Sequence, residues 1–132
     1  MKPRPPILQL TWAGFDAAVD LIAAQCVRRD RSGVWSPSTA GLMLAVALSE
    51  RLGINVLQLP TPGMLLVDAE ASPELLRYAE RAEDADVWVW VDNSAEHQCN
   101  SAMKVAGPAL LLFPWQQAPS CCRRQFVQGF DD

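Results

Sequence analysis

Apolar positions along this chain alternate between two periods. Over residues 12–29, WAGFDAAVDLIAAQCVRR, the side chains Phe15, Ala18, Val19, Ile22, Ala23, Cys26 and Val27 return every three or four residues, the stripe of an amphipathic helix. Thr11 offers a hydroxyl to cap it, and Arg28 and Arg29 sit near its carboxyl end, where the helix dipole favours cations. GVWS at 33–36 predicts a short strand. Ser38 or Thr39 then caps a second helix over 40–52, with Gly53 suited to its end. That helix is apolar nearly all round, so it is expected to be buried. INVLQL at 54–59 and MLLVD at 64–68 read as strands joined through a PTPG turn. Ser72-Pro73-Glu74 opens a third helix, running to about Glu83, with a capping hydroxyl, proline at the first helical position and an acid in the first turn.

Past that helix, DVWVWVD at 86–92 alternates with period two. Val87, Val89 and Val91 fall on one face, Trp88 and Trp90 on the other. Both faces are apolar, as in a strand covered by helices on both sides. SAEHQCNSAMKVAG at 94–107 reads as a fourth helix and PALLLF at 108–113 as a last strand. The first nine residues hold three prolines, so 1–10 reads as an N-terminal arm; 114–132 reads as a C-terminal tail with Trp115, Phe126 and Phe130. Short apolar strands alternating with helices predict one α/β domain over 1–132, with a mostly parallel sheet of about five strands and flanking helices. A flavodoxin- or Rossmann-like sheet is the runner-up, but no G-x-G-x-x-G follows the first strand, so a dinucleotide site has no support.

Composition narrows the function classes. At 132 residues, half of them apolar, the chain can bury a core without staples. A net charge of -4 and a pI near 4.9 lack the basic footprint of a nucleic-acid binder. No apolar run approaches the roughly 20 residues that span a bilayer. MKPRPPILQL does not read as a secretory leader, which points to the cytoplasm and to reduced cysteines. Cys26 falls on the first helix's apolar stripe and belongs to the core. His97-x-Cys99 with a later Cys121-Cys122 pair is poor spacing for zinc, so no metal site is predicted; nor does an oxyanion signature support a Cys–His nucleophile. The run ERAEDAD at 80–86 is a solvated helix end. Of the five tryptophans, Trp88 and Trp90 are expected to pack beneath helices, while Trp35 stands just before a loop at the edge where α/β sheets hold ligands.

Three segments together resemble the type I phosphoribosyltransferases, over roughly residues 10–113. LTWAGFDAAVDLIA is similar to the helix that precedes that core in many bacterial members. GVWSPSTAGLMLAVALSERLGINVL is similar to their first strand, pyrophosphate loop and first helix. LLVDAEAS stands where the family keeps an apolar strand, two adjacent acids and a loop rich in threonine and glycine. The resemblance implies displacement of pyrophosphate from phosphoribosyl pyrophosphate by a nitrogen nucleophile. The acids would hold the ribose hydroxyls, and loop amides and hydroxyls at a helix N-terminus would hold the 5′-phosphate. It implies Mg²⁺ only in company with that substrate, and no other cofactor is expected. Carried over residue by residue, Asp68 matches the first acid, Glu70 comes one place late for the second, and Ser72 is what remains of the phosphate loop. Ser36, Ser38 and Thr39, with Trp35 before them, stand at the pyrophosphate loop.

The departures are as informative as the matches. Ala69 replaces the second acid. Pro73 removes a backbone donor from the phosphate loop, and Glu74 puts a negative charge where a phosphate would lie. The pyrophosphate loop lacks its basic residue and paired glycines, and PTPG leaves no room for a flap that closes over a ligand. These losses describe a degenerate member: a phosphoribosyltransferase-like chain that has given up catalysis and acts as a binding or regulatory module for a nucleotide or phosphoribosyl ligand or a protein partner. The alternatives are an active transferase, with Asp68 and Glu70 as its catalytic candidates, and a plain homo-oligomeric interaction protein whose Arg123 and Arg124 pair with another subunit's acids.

Overall fold

A computed structural model describes residues 5–26, 30–94, 99–106 and 109–116. The chain runs β1 (Ile7–Gln9), α1 (Trp12–Gln25), β2 (Val34–Trp35), α2 (Thr39–Leu52), β3 (Leu65–Glu70), α3 (Pro73–Arg81), β4 (Asp86–Asp92), β5 (Asn100–Lys104) and β6 (Leu110–Leu112). Strands β2-β3-β4-β5 form a parallel sheet in that order; β1 and β6 make a separate parallel pair. All three helices start on the hydroxyl caps that the sequence offers. Thr11 accepts from the Gly14 N–H, Ser38 from Gly41 and Ser72 from Leu75. Gly53 closes α2 in the left-handed region at φ 69°, where a side chain is disfavoured.

The sheet is covered on both faces. One core layer joins Phe15, Val19 and Ile22 of α1, Leu44, Ala45 and Leu48 of α2, and Leu65, Val67, Ala69 and Trp90 of the sheet. The other joins Leu75 of α3 to Met64, Leu66, Val89 and Cys99. Period-two alternation therefore sends Leu65, Val67 and Ala69 one way and Met64, Leu66, Asp68 and Glu70 the other. Trp90 is 1 % exposed and sits among Phe15, Phe113 and Trp115, as expected of a tryptophan beneath a helix. Cys26 is buried at the end of α1, also as expected.

Several sequence expectations are corrected. Residues 54–59 are not a strand: β2 is two residues long, and only Val56 bridges to Val34, through the Val34 N–H on Asn55 and the Leu57 N–H on Val34. Part of the N-terminal arm is β1, whose ladder to β6 is fastened by Leu110 N–H on the Pro6 carbonyl and Leu10 N–H on Leu112. The stretch expected as a fourth helix contains β5, paired with β4 from Trp88↔Asn100 to Asp92↔Lys104. Ala102, Met103 and Lys104 favour helices in isolation, but the open edge of β4 offers a ladder, and tertiary pairing overrides a weak local preference. Helix α1 ends at Gln25, shorter than 12–29, and the segment 27–29 lies outside the described residues. Trp115 is no loose tail residue: it stacks on Phe113 and meets Trp12, Phe15 and Trp90. His97, Cys121, Cys122, Arg123, Arg124, Phe126 and Phe130 lie outside the described residues.

Candidate functional site

At the carboxyl edge of the sheet β3 ends later than expected, at Glu70. Because Asp68 and Glu70 are two apart on one strand, their side chains leave by the same face. The sequence placed Glu70 in a loop; the strand makes it a partner of Asp68 instead. Asp68 is 3 % exposed and its Oδ1 is held by two donors. The Ser38 hydroxyl donates to Oδ1 at 2.6 Å and the Ala69 N–H donates to the same oxygen at 2.7 Å; the Ser72 hydroxyl acts on the carboxylate more weakly, favouring its charged form. Ser38 and Ser72 are the N-caps of α2 and α3. The Asp68 carboxylate thus ties the first turn of α2 to β3.

The close approach needs Gly41. A Cβ built there would lie 2.0 Å from Ser36 Oγ, 2.7 Å from Asp68 Oδ1 and 2.9 Å from Asp68 Cα. Only a glycine lets α2 start this near β3. Ser36 lies against the same turn, its Oγ 3.4 Å from the Ser38 N–H. Thr39, the first residue of α2, is exposed. Trp35 packs edge-on against Tyr78 of α3, ring centroids 4.8 Å apart, so it covers the α3 layer as well as bordering the edge.

Electrostatics distinguish the two acids from ordinary surface carboxylates. Burial pushes Asp68 above the usual carboxylate range, opposed by the Ser38, Ala69 and Ser72 bonds and reinforced by the Glu74 charge. Burial also raises Glu70, and the charge of Asp68 raises it further; the Asn93 side chain, hydrogen-bonded to it, pulls it back. Glu70 is half-buried and remains the more accessible of the pair. Sequence reasoning missed Asp92 and Asn93, which end the neighbouring strand. Asp92 is fully buried and accepts from Ser94 N–H at 3.0 Å and from Cys99 N–H at 3.3 Å, closing the connection into β5. The signal was available: an apolar run ending in aspartate occurs twice, LLVD and VWVD.

Asp68 Oδ1 accepts from Ser38 and Ala69, Glu70 is the more accessible carboxylate of the two, and among the described residues no three His, Cys, Asp or Glu side chains gather as a metal cluster. Three surface recesses, of about 240, 260 and 370 Å³, are lined by other residues: two beside α3 around Tyr78 and Arg81, one between α1 and α2. No helix among the described residues is long and apolar enough to cross a membrane.

No protein-family model matches the chain, and no curated protein matches its sequence. Its architecture has solved counterparts. A purine phosphoribosyltransferase from Pyrococcus horikoshii Ot3 superposes with a TM-score of 0.66 at 17 % identity, covering 86 % of this chain and 95 % of that one. The fold is that of the type I phosphoribosyltransferases. A hypothetical protein from Neisseria gonorrhoeae, crystallised with bound ppGpp, matches with a TM-score of 0.60 at 12 % identity over 98 % of this chain and 99 % of that one. Within this phosphoribosyltransferase fold, Asp68, Ser38 and Ser72 come together at one point, Glu70 joins them on the same strand face, and Trp35, Ser36 and Thr39 border them.

Proposed function

We propose that this phosphoribosyltransferase-fold chain no longer transfers phosphoribosyl groups and acts as a binding or regulatory module, taking a ribose-phosphate or nucleotide ligand at the carboxyl edge of β3. The observation that carries the reading is the commitment of Asp68. An acid that serves ribose hydroxyls must present free lone pairs, whereas this one is 3 % exposed and its Oδ1 already accepts from the Ser38 hydroxyl and the Ala69 N–H. That oxygen fastens the start of α2 to the sheet. Glu70, bonded to Asn93, then supplies the accessible acceptor for ligand hydroxyls, and the first turns of α2 and α3 supply the partial positive charge that favours a phosphate. Pro73 and Glu74 at the α3 start weaken that anion site. The neighbour that holds ppGpp supports a nucleotide-type ligand on this architecture.

One observation favours residual transferase activity as a second reading: Asp68 and Glu70 share a strand face, so two carboxyls do stand side by side. A thermal-shift titration separates the readings, using phosphoribosyl pyrophosphate with and without Mg²⁺, nucleoside monophosphates and ppGpp. Saturation at a hundred times the dissociation constant stabilises the native state by about 2.7 kcal/mol. The proposal expects a raised melting temperature that Glu70→Gln abolishes, with no pyrophosphate released in the presence of bases. Pyrophosphate release that depends on Asp68 establishes the transferase reading. No shift with any of these ligands overturns both, in favour of a protein partner.

A further inference from the structure

A helix on a protein surface ordinarily turns polar side chains to water, and α2 does not. Its inner face holds Gly41, Leu44, Ala45 and Leu48, all buried. On the opposite side Thr39, Leu42, Met43, Val46 and Glu50 share about 100° of arc. All five are exposed. The middle three are large and apolar, with Leu42 44 %, Met43 40 % and Val46 45 % exposed. Polar residues occur only at the two ends of the stripe. An isolated exposed leucine is ordinary, but three apolar side chains in a row along the outward stripe of one helix mark an interaction surface.

Two features select the occupant. The first is symmetry. Positions 39, 43, 46 and 50 are spaced by four, three and four residues, which reads the same from either end. Laid antiparallel on itself, about a two-fold axis between Leu44 and Ala45, the stripe sets Met43 against the partner's Val46 twice over. Leu42 flanks that contact, and Glu50 falls opposite the partner's Thr39 at both ends. A two-fold contact requires such self-complementarity. The second feature is charge. Glu50 makes no ion pair among the described residues, whereas the neighbouring Arg51 is engaged by Asp20. Thr39 is the first residue of α2, where unpaired backbone N–H groups carry partial positive charge. The antiparallel arrangement seats each Glu50 carboxylate beside the partner's helix start. A parallel one would bring the two carboxylates together. Size sets the strength of the contact. The fourteen residues of α2 span about 21 Å, so helix on helix buries an area near the low end of stable interfaces, about 1,200 Å² in total. Such a dimer is reversible.

We infer that α2 is the two-fold interface of a homodimer, packed antiparallel on the α2 of a second copy through Leu42, Met43 and Val46, with Glu50 against the partner's Thr39. Thr39 borders the carboxyl edge of the sheet, so each copy places an acid at the rim of its partner's candidate site.

Sedimentation velocity on the full chain over about 1–100 μM tests this, a range in which interfaces of this size dissociate. The expected result is a dimer at the top of the range that dissociates on dilution. Val46→Glu puts a carboxylate into the apolar contact and should raise Kd at least about tenfold. Glu50→Lys sets a cation on the partner's helix start, and Thr39→Glu opposes two acids, so each alone should weaken the dimer. Combined in one chain, these two substitutions again place opposite charges at both ends and should restore the native affinity. All three positions are exposed, so the core is untouched, which unchanged far-ultraviolet dichroism verifies. A native chain that stays monomeric across the range overturns the inference, and so does a dimer that Val46→Glu leaves intact. A double variant as weak as the single ones overturns the antiparallel register.

Discussion

Gly14 and Gly41 occupy the same local position, the third residue after a capping hydroxyl, and each donates its N–H to that cap at 3.0 and 2.9 Å. Replacing either by alanine removes the same backbone freedom, worth up to about 1 kcal/mol in favour of the helix. The surroundings differ. At Gly14 a new Cβ meets Thr11 Oγ1 at 3.4 Å and Trp90 Cζ2 at 3.6 Å, ordinary contacts. At Gly41 it meets Ser36 Oγ at 2.0 Å, which can rotate away, and Asp68 Cα at 2.9 Å, which cannot. Moving β3 or the α2 start would loosen the Ser38–Asp68 bond, and overpacking of this kind costs about 1–3 kcal/mol. We therefore expect Gly14→Ala to be neutral or stabilising and Gly41→Ala to destabilise by a net of about 1–2 kcal/mol. With an unfolding entropy of about 2.1 cal/mol/K per residue, 132 residues give about 0.28 kcal/mol/K, so Gly41→Ala should lower the melting temperature by about 4–7 °C. Calorimetry on the two variants side by side is the assay. A Gly41→Ala chain as stable as Gly14→Ala would refute the claim that α2 is pressed against Asp68.

Asp68→Ala should cost about 2 kcal/mol in urea unfolding, because it strands the Ser38 hydroxyl and the Ala69 N–H, while Asp68→Asn should cost less; equal stability of Asp68→Ala and the native chain would show that the carboxylate ties nothing. Asp68 and Glu70 both hold their protons more tightly in the folded chain than at the ordinary values of 3.8 and 4.5, so folding takes up protons above those values and their contribution to stability falls as pH rises through the folded pKa values. Glu70→Gln should accordingly gain on the native chain as pH climbs from 4 to 7, and a difference that stays constant across that window would exclude the coupling. Trp115→Ala removes a ring stacked on Phe113 at 5.3 Å and should cost about 2–3 kcal/mol with loss of near-ultraviolet dichroism; an unchanged spectrum would mean that the ring is not docked.

Local chemistry determined the parts of this protein that the sequence discloses. The stripes of α1 and α2, the caps Thr11, Ser38 and Ser72, the Ser72-Pro73-Glu74 start of α3 and the apolar runs of β3 and β4 are set by residues within a few positions of one another. Together they suffice for a parallel α/β sheet, and the resemblance they carry led to the phosphoribosyltransferase fold. Tertiary structure decided what those local signals leave degenerate. Ile7–Gln9 became a strand only because Leu110–Leu112 pairs with it across about a hundred residues of chain, and Asn100–Lys104 left its helical preference because β4 had an open edge. From its place at a strand end Asp68 read either as the relic of a ribose-binding acid or as a residue with a structural hydrogen bond. That it bonds the cap of α2 depends on Ser38 being brought to it across thirty residues of chain, and on a glycine at 41 that lets α2 approach. Hydrogen bonds act over about 3 Å, and a sequence records which groups exist but not which of them end that close together.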